Sequence, residues 1–332
     1  MDSSYEVKTI SKIFKYKPIT RYIGLTGDIP VKHKDVYMGV ELEYESLKHI
    51  EGMCLPNTIF YAEDNSLKLN GFELVSVPIK LKYLQVELER VITPIKAQLL
   101  TSKRCSVHIH MNVRDMTLDQ LAVFVMIYFI FERGLYRISG DRWDNNFCVP
   151  LNMALEQVSS FFSRYHKGSR SDYTLWRKYT GLNLGPIAGS SDGSKPLGTV
   201  EFRQLHGTTD VKEIIDWCNI IASIKRAAQT IPLDEMISHI RTMKTTSGYA
   251  WLVKEVFGKY SRRLTSQKSF TTDVENSISL LKVTLASSLL KPKESDANFE
   301  AKLKKASPEL SEFLFSDLTS LSKIEEILCA DS

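Results

Sequence analysis

The feature that most constrains this chain is a set of short stretches in which polar and apolar residues alternate with a period of two. That is the spacing at which successive side chains of a β-strand point to opposite faces. In VYMGVELEYE, Met38, Val40, Leu42 and Tyr44 point one way and Gly39, Glu41, Glu43 and Glu45 the other. In RCSVHIHMNV, Val107, Ile109 and Met111 oppose Ser106, His108, His110 and Asn112; in GTVEFRQLHG, Val200 and Phe202 oppose Thr199, Glu201 and Arg203. NGFELVSVP is looser, since Glu73 shares a face with Val75 and Val77. Antiparallel sheets with one packed face produce this pattern.

Between and after these strands the period changes to that of helices. Residues 121–131 (LAVFVMIYFIF) are apolar throughout, too few to span a bilayer, and are followed by Glu132 and Arg133. They read as a buried helix, and Thr117 with Gln120 has capping-box spacing at its start. A second helix is expected from about 150 to 165, a loop over 185–198 (GPIAGSSDGSKPLG), and a helix opened by Asp210 and Glu213 and running to about 229. Beyond Pro232 the segments DEMISHIRTMK, YAWLVKEVFGKY, DVENSISLLKVTLASSLL and PELSEFLFSDLTSLSKIEEIL are helical in spacing, with LLKPKESDANFEAKLKK as a polar linker among them.

Composition excludes more than it indicates. A net charge of +4 from 43 basic and 39 acidic residues, with no like-charged block, gives no nucleic-acid stripe. The five cysteines, Cys54, Cys105, Cys148, Cys218 and Cys329, are scattered and form no C-x-x-C, so neither a disulfide framework nor a zinc knuckle is expected. A reducing cytoplasm fits this cysteine pattern, and no secretory signal is expected, since the first residues are charged and lack an apolar stretch. No membrane association is expected.

The polar faces carry the chemistry. Carboxylates at i and i+2 on a strand, as at Glu41 and Glu43, project to one side about 7 Å apart, a spacing suited to hard cations. A solvated strand face would look the same in isolation. Three further strands, however, present Glu73, His108 with His110, and Glu201. His-x-His on a strand puts two imidazoles on one face, a geometry that serves zinc, copper, manganese or phosphate contacts; the excess of Glu oxygens suits magnesium or manganese. Glu201 and Arg203 pair a carboxylate with a guanidinium, with a cross-strand ion pair as the plain alternative. Arg142, Arg177 and Lys178, in SGDRWDNNF and YTLWRKYTGLN, are candidates for gripping phosphate or a carboxylate, and are equally readable as surface cations. Glu63, Asp64 and Ser66 in YAEDNSL suit an ammonium group whose proton must be removed, or a polar hairpin turn.

Taken in order, GVELE, AEDNS, GFELVS, CSVHIH, RWDNNF, the stretch ending in GLN and GTVEFRQLHGT resemble the amidoligases, carboxylate-amine ligases similar in fold to glutamine synthetase and glutamate-cysteine ligase. The resemblance covers about residues 36–228. It implies an α+β fold, a curved antiparallel sheet forming a partial barrel with helices on its outer face. The chain then divides into an N-terminal extension (1–35), a catalytic domain (36–230) and an all-helical C-terminal region (231–332). It also implies ATP and Mg²⁺ or Mn²⁺ as cofactors, an acyl-phosphate intermediate, and a carboxylate and an amine as partners. Glu41, His108 and Glu201 would hold one ion, and Glu43 and Glu73 another. His110, Arg203, Arg177 and Asn183 would face the nucleotide, Arg142 the transferring phosphate, and Glu63, Asp64 and Ser66 the amine.

Of the common rival motifs, G-x-x-x-x-G-K-S/T and H-E-x-x-H do not occur in the sequence. Two other readings stay open at this point, a guanidino-kinase-like phosphotransferase of similar fold and a non-catalytic protein that keeps the fold for binding or assembly. The sequence names no substrate. A small amino acid, a cell-wall peptide and peptide or protein termini all fit, and uncovered strand edges leave a homo-oligomer open.

Overall fold

The alternating stretches pair with one another. The computed structural model describes residues 9–14, 16, 36–48, 50, 53, 55–165, 173, 176–189, 195–242 and 246–289. Its strands are β1 (Tyr37–Tyr44), β2 (Ile59–Glu63), β3 (Phe72–Ser76), β4 (Ile79–Lys80), β5 (Ser106–Asn112), β6 (Leu182–Asn183) and β7 (Thr199–His206). They form an open antiparallel sheet in the order β2-β3-β1-β5-β7-β6, with β4 pairing β1 beside that path. The four strands expected from the sequence are the contiguous centre of this sheet. β4 and β6 have two residues each, too few to show a period, and β2 is an exposed edge strand.

The described helices are α1 (Ile10–Phe14), α2 (Leu81–Ile95), α3 (Leu118–Ile138), α4 (Leu155–Arg164), α5 (Val211–Thr230), α6 (Leu233–Thr242), α7 (Thr246–Phe257), α8 (Ser261–Thr265) and α9 (Phe270–Leu289). The apolar sheet face, including Val40, Leu42, Val107, Ile109, Met111, Val200 and Phe202, is fully buried. Phe124 and Tyr128 of α3 and Trp217 of α5 meet the Phe202 ring edge-on, with centroids 5.9, 5.9 and 6.4 Å away.

The capping box at the start of α3 is complete. Thr117 Oγ1 accepts from the Gln120 amide at 3.1 Å, and Gln120 Oε1 accepts from the Thr117 amide at 2.9 Å. This helix is apolar all round because it lies between the sheet and an outer layer: Phe131 meets Phe257 of α7 edge-on at 5.1 Å and stacks on Phe270 of α9 at 6.3 Å. Helices α6 to α9 thereby share one apolar cluster with the sheet. The expected helix PELSEFLFSDLTSLSKIEEIL and the polar linker before it lie outside the described residues, as does most of the N-terminal extension.

At the start of α5, Asp210 accepts from the amides of Lys212 and Glu213 at 2.9 and 3.4 Å, but Glu213 does not return the bond. Its carboxylate lies 3.6 Å from His206 Nε2 instead. Deeper in α5 the buried Lys225 donates to the Asn112 carbonyl at 2.8 Å and to Asp115 at 2.7 Å, which ties α5 to the end of β5.

Candidate active site

Sheet register assembles the polar face. Across β1 and β5, Glu41 stands opposite His108 and Gly39 opposite His110; across β5 and β7, His110 stands opposite Glu201; across β7 and β6, Glu201 stands opposite Asn183. On the other side of β1, Glu43 faces Glu73 directly. Residues separated by up to 160 positions thus meet because four strands alternate in phase.

The densest group is Glu41, His108 and Glu201, whose ligand atoms all lie within 4.8 Å of one another. His108 Nδ1 is 3.2 Å from Glu41 Oε2 and 3.8 Å from Glu201 Oε1, and His110 Nε2 is 3.1 Å from Glu41 Oε1. Burial alone would raise the Glu41 carboxyl, yet His110 and His108 hold it well below the ordinary carboxylate range. Glu201 is lowered in the same way, against its burial, by His110, Arg203 and His108. Burial works to lower the His110 imidazole, but Glu41 and Glu201 raise it above the usual value.

Ser106 bridges Glu43 and His108. Its hydroxyl stands 2.5 Å from Glu43 Oε2, which also accepts from the Ser106 amide at 2.8 Å, and 2.8 Å from His108 Nε2. A hydroxyl has one proton. Donated to Glu43, it leaves the Ser106 oxygen to accept from Nε2–H, and Nδ1 is the ring nitrogen that faces Glu41 and Glu201. Two carboxylates and an imidazole nitrogen converging on one point suit a hard or borderline divalent cation, with Ser106 as the outer partner that orients the imidazole. Asn183 and Arg203 orient Glu201 likewise: Asn183 donates to Oε2 at 2.7 Å, Arg203 donates to Oε1, and the Gly185 amide fixes Asn183 at 2.9 Å.

A bulge in β7 shapes the cationic side. Val107 pairs with Leu205 but Ile109 with Phe202, so two residues, Arg203 and Gln204, oppose His108 alone. Gln204 turns to the core, where it donates to the Tyr128 hydroxyl, while the carbonyls of Arg203 and Leu205 accept from Arg142 at 3.2 and 3.3 Å. Arg142 Nε is buried with no hydrogen-bond partner among the described residues. The chain reaches Arg142 through Gly140, whose φ of +99° and whose missing Cβ, which would lie 2.3 Å from His206 Nδ1, leave room only for glycine.

Glu41, Glu43, Glu73, Ser106, His110, Arg142, Asn183, Glu201 and Arg203 line a cleft of about 720 Å³, while His108 is buried and does not line it. Its lining combines the acidic residues Glu41, Glu43, Glu63, Asp64 and Glu73 with the basic residues Arg104, Arg142, Lys178, Lys195 and Arg203, and with Ser66, Phe147, Trp176 and Tyr179; Arg104 donates to the Ser66 carbonyl at 3.1 Å. Glu63 ends β2, and Asp64 and Ser66 form the turn to β3, so the hairpin reading and the cleft position hold together; Asp64 Oδ1 accepts from the Ser66 amide at 2.8 Å. Glu73, half-buried, has its carboxyl pushed up by burial and by Glu41, Asp64 and Glu43.

Arg177 departs from expectation. Its guanidinium is exposed, 3.9 Å from Glu156 on α4, and does not line the cleft. Its amide is drawn toward Gln157 at 3.2 Å, and the neighbouring Lys178 takes the cleft-facing position instead. Ser106 was legible as a member of the polar face but not as the partner of Glu43. Arg104, just before β5, and Lys195, in the loop before β7, gave no signal in the sequence, because loop residues follow no period.

Residues 34–185 match the family model described as "Putative amidoligase enzyme". This match covers just under half of the chain and supports an amidoligase family assignment, and with it a ligase-type function. The match contains the cleft residues from Glu41 to Asn183 and ends before β7, which carries Glu201 and Arg203. No curated protein matches the chain. Among the described residues, no helix is long and apolar enough to cross a membrane.

Proposed function

We propose that this protein joins a carboxylate to an amine at the expense of ATP, on a glutamine synthetase-like sheet whose polar face holds the site. The observation that carries the reading is the meeting of Glu41, the buried His108 and Glu201 at a cleft that Glu41 and Glu201 line together with Arg142 and Arg203, in a chain whose residues 34–185 match an amidoligase family model. A free carboxylate resists amines because its leaving group would be oxide. Transfer of the γ-phosphoryl group of ATP to a carboxylate oxygen releases ADP and gives an acyl-phosphate. The amine then attacks the carbonyl carbon, loses a proton, and inorganic phosphate departs.

Glu41, His108 and Glu201 would hold one Mg²⁺ or Mn²⁺ ion, and Glu43 with Glu73 a second. Bound there, the ions supply positive charge against the triphosphate. The chain's own residues do the rest. Arg203 and Arg142, which both line the cleft, neutralise charge on the moving phosphoryl group. His110 and Asn183 face the nucleotide, with Lys178 in the place expected of Arg177. Glu63, Asp64 and Ser66 attract the ammonium form of the amine and accept its proton. The three described free cysteines, Cys105, Cys148 and Cys218, are buried thiols, which suits a reducing cytoplasm.

Hydroxylamine tests this reading, because it captures acyl-phosphates as coloured hydroxamates. Incubated with Mg-ATP, hydroxylamine and a pool of carboxylic acids, the protein is expected to form ADP, phosphate and hydroxamate together, and Glu41→Gln and Glu201→Gln to abolish all three. ADP released with a phosphorylated acceptor and no hydroxamate would assign a phosphotransferase instead.

A further inference from the structure

Next to the cleft, and sharing Glu41, His110 and Leu197 with it, lies a second pocket of about 300 Å³. Its floor is Gly39. This glycine sits in the middle of β1 without a positive φ, and a Cβ added to it would meet only His110 Cβ and the Ser76 carbonyl, both at an ordinary 3.7 Å. Neither backbone geometry nor crowding calls for glycine here, and glycine inside a strand costs stability. What its missing side chain does is leave the pocket open.

The pocket offers apolar surface from Val40, Val75, Pro78 and Leu197. Several of its polar side chains are already engaged with protein groups. Ser76 Oγ accepts from the Val40 amide at 2.8 Å, Thr199 Oγ1 pairs with His110 Nδ1 at 3.1 Å, and Asn112 donates to Asp115 at 3.3 Å. Arg114 is turned onto the Leu197 carbonyl, at 2.8 and 3.1 Å. A purine base, whose edge needs donors and acceptors, finds few here, whereas an aliphatic or aromatic group needs only the surface.

Register says which substrate this would be. Along β1 the pocket at Gly39 and the Glu43–Glu73 pair lie on opposite sides of Glu41, and β2 brings Glu63 opposite Phe72, beyond Glu73. The acidic turn at Glu63 and Asp64 attracts an ammonium and repels a carboxylate, so the acid approaches from the Gly39 side. We propose that this pocket receives the apolar side chain of the carboxylic substrate, an amino acid or the C-terminus of a peptide, and selects acids by it. The proposal rests on the ligase reading above.

The test uses the full chain with Mg²⁺ and a non-hydrolysable ATP analogue, and follows binding of N-acetyl-leucine, N-acetylphenylalanine and N-acetylglycine by saturation-transfer NMR. The apolar acids are expected to bind about tenfold or more tightly than N-acetylglycine. Gly39→Leu is expected to erase that preference while leaving nucleotide affinity, read by calorimetry, within about twofold; where it melts early, Gly39→Ala, which narrows the pocket, reports a partial loss. No preference for apolar acids, or a preference that survives in both variants, overturns the proposal. A loss of nucleotide affinity in Gly39→Leu also overturns it, by assigning the pocket to the base. Hydroxamate formation is scored separately. An intact preference with no hydroxamate from any acid sinks the ligase reading and supports the pocket.

Discussion

Glu132 and Glu201 are buried to nearly the same degree, 1 % and 4 % exposed, on opposite sides of one sheet, and their carboxyls are pushed in opposite directions. On the helix side, burial raises Glu132 to about 7, although the amides of Leu151 and Asn152 donate to it at 2.7 and 3.2 Å. On the polar face burial acts on Glu201 too, but His110, Arg203 and His108 outweigh it and keep the group ionised. Depth does not decide the charge state; the surrounding countercharges do. One face is therefore organised for packing and the other for holding charge, and each can be broken without the other.

The largest expected effect separates them outright. Phe202→Ala removes the ring that Phe124, Tyr128 and Trp217 enclose, and is expected to cost about 3–5 kcal/mol in a urea titration. Glu201→Gln, one residue away on the opposite face, is expected to abolish hydroxamate formation while shifting the urea midpoint far less. Equal losses of stability from the two variants would show that the polar face is as much a packing element as the apolar one.

Glu132 gives the next effect, through pH. Its folded value of about 7 stands above the ordinary carboxyl value of 4.5, so the folded protein keeps a proton that the unfolded chain loses. The resulting stability is fully present below about 4.5 and is lost as pH rises toward about 7, about 3 kcal/mol in all. Urea midpoints of the parent and of Glu132→Gln, measured from pH 5 to pH 8, are expected to converge or cross as pH rises. A constant difference across that range would mean that Glu132 stays ionised in the fold.

The same contrast explains what was legible in the sequence. Strands β1, β5 and β7 announced themselves because a packed face and a charged face must alternate, and that alternation also named Glu41, His108 and Glu201. Helix α3 was visible as an unbroken apolar run with a cap. The bulge at Arg203 and Gln204 was not, since it depends on how β7 registers against β5, and without it the place of Arg142 on the β7 carbonyls is unreadable. Arg177 and Lys178 show the limit most plainly: two adjacent cations in a turn, of which the fold chose one for the cleft, and no period distinguishes them.

Ser106 tests whether the polar face is ordered by hydrogen bonds or only by charge. Ser106→Ala leaves Glu43 and His108 in place but removes the hydroxyl between them. Metal affinity, read as Mn²⁺ binding by electron paramagnetic resonance, is expected to fall about 10–100-fold, as for the loss of an outer partner to a ligating histidine. The urea midpoint should move little, and Ser106→Thr, which keeps the hydroxyl, should recover much of the affinity. Unchanged Mn²⁺ binding in Ser106→Ala would remove Ser106 from the site.

The smallest effect has the most telling sign. Glu73 faces Glu43 directly across β1 and β3, a like-charge pair that opposes pairing when no cation lies between them. Because its carboxyl is pushed up by burial and by Glu41, Asp64 and Glu43, its ionised form weighs against the fold, and this cost grows as pH rises through the folded value. Without divalent ions, Glu73→Gln is therefore expected to raise the melting temperature at neutral pH by about 1–2 °C. With Mg²⁺ or Mn²⁺ present the order should reverse, since the parent gains stability from a bound ion and the variant gains less. A rise of the same size in both conditions would mean that Glu43 and Glu73 repel each other without sharing an ion, which would confine metal binding on this face to Glu41, His108 and Glu201.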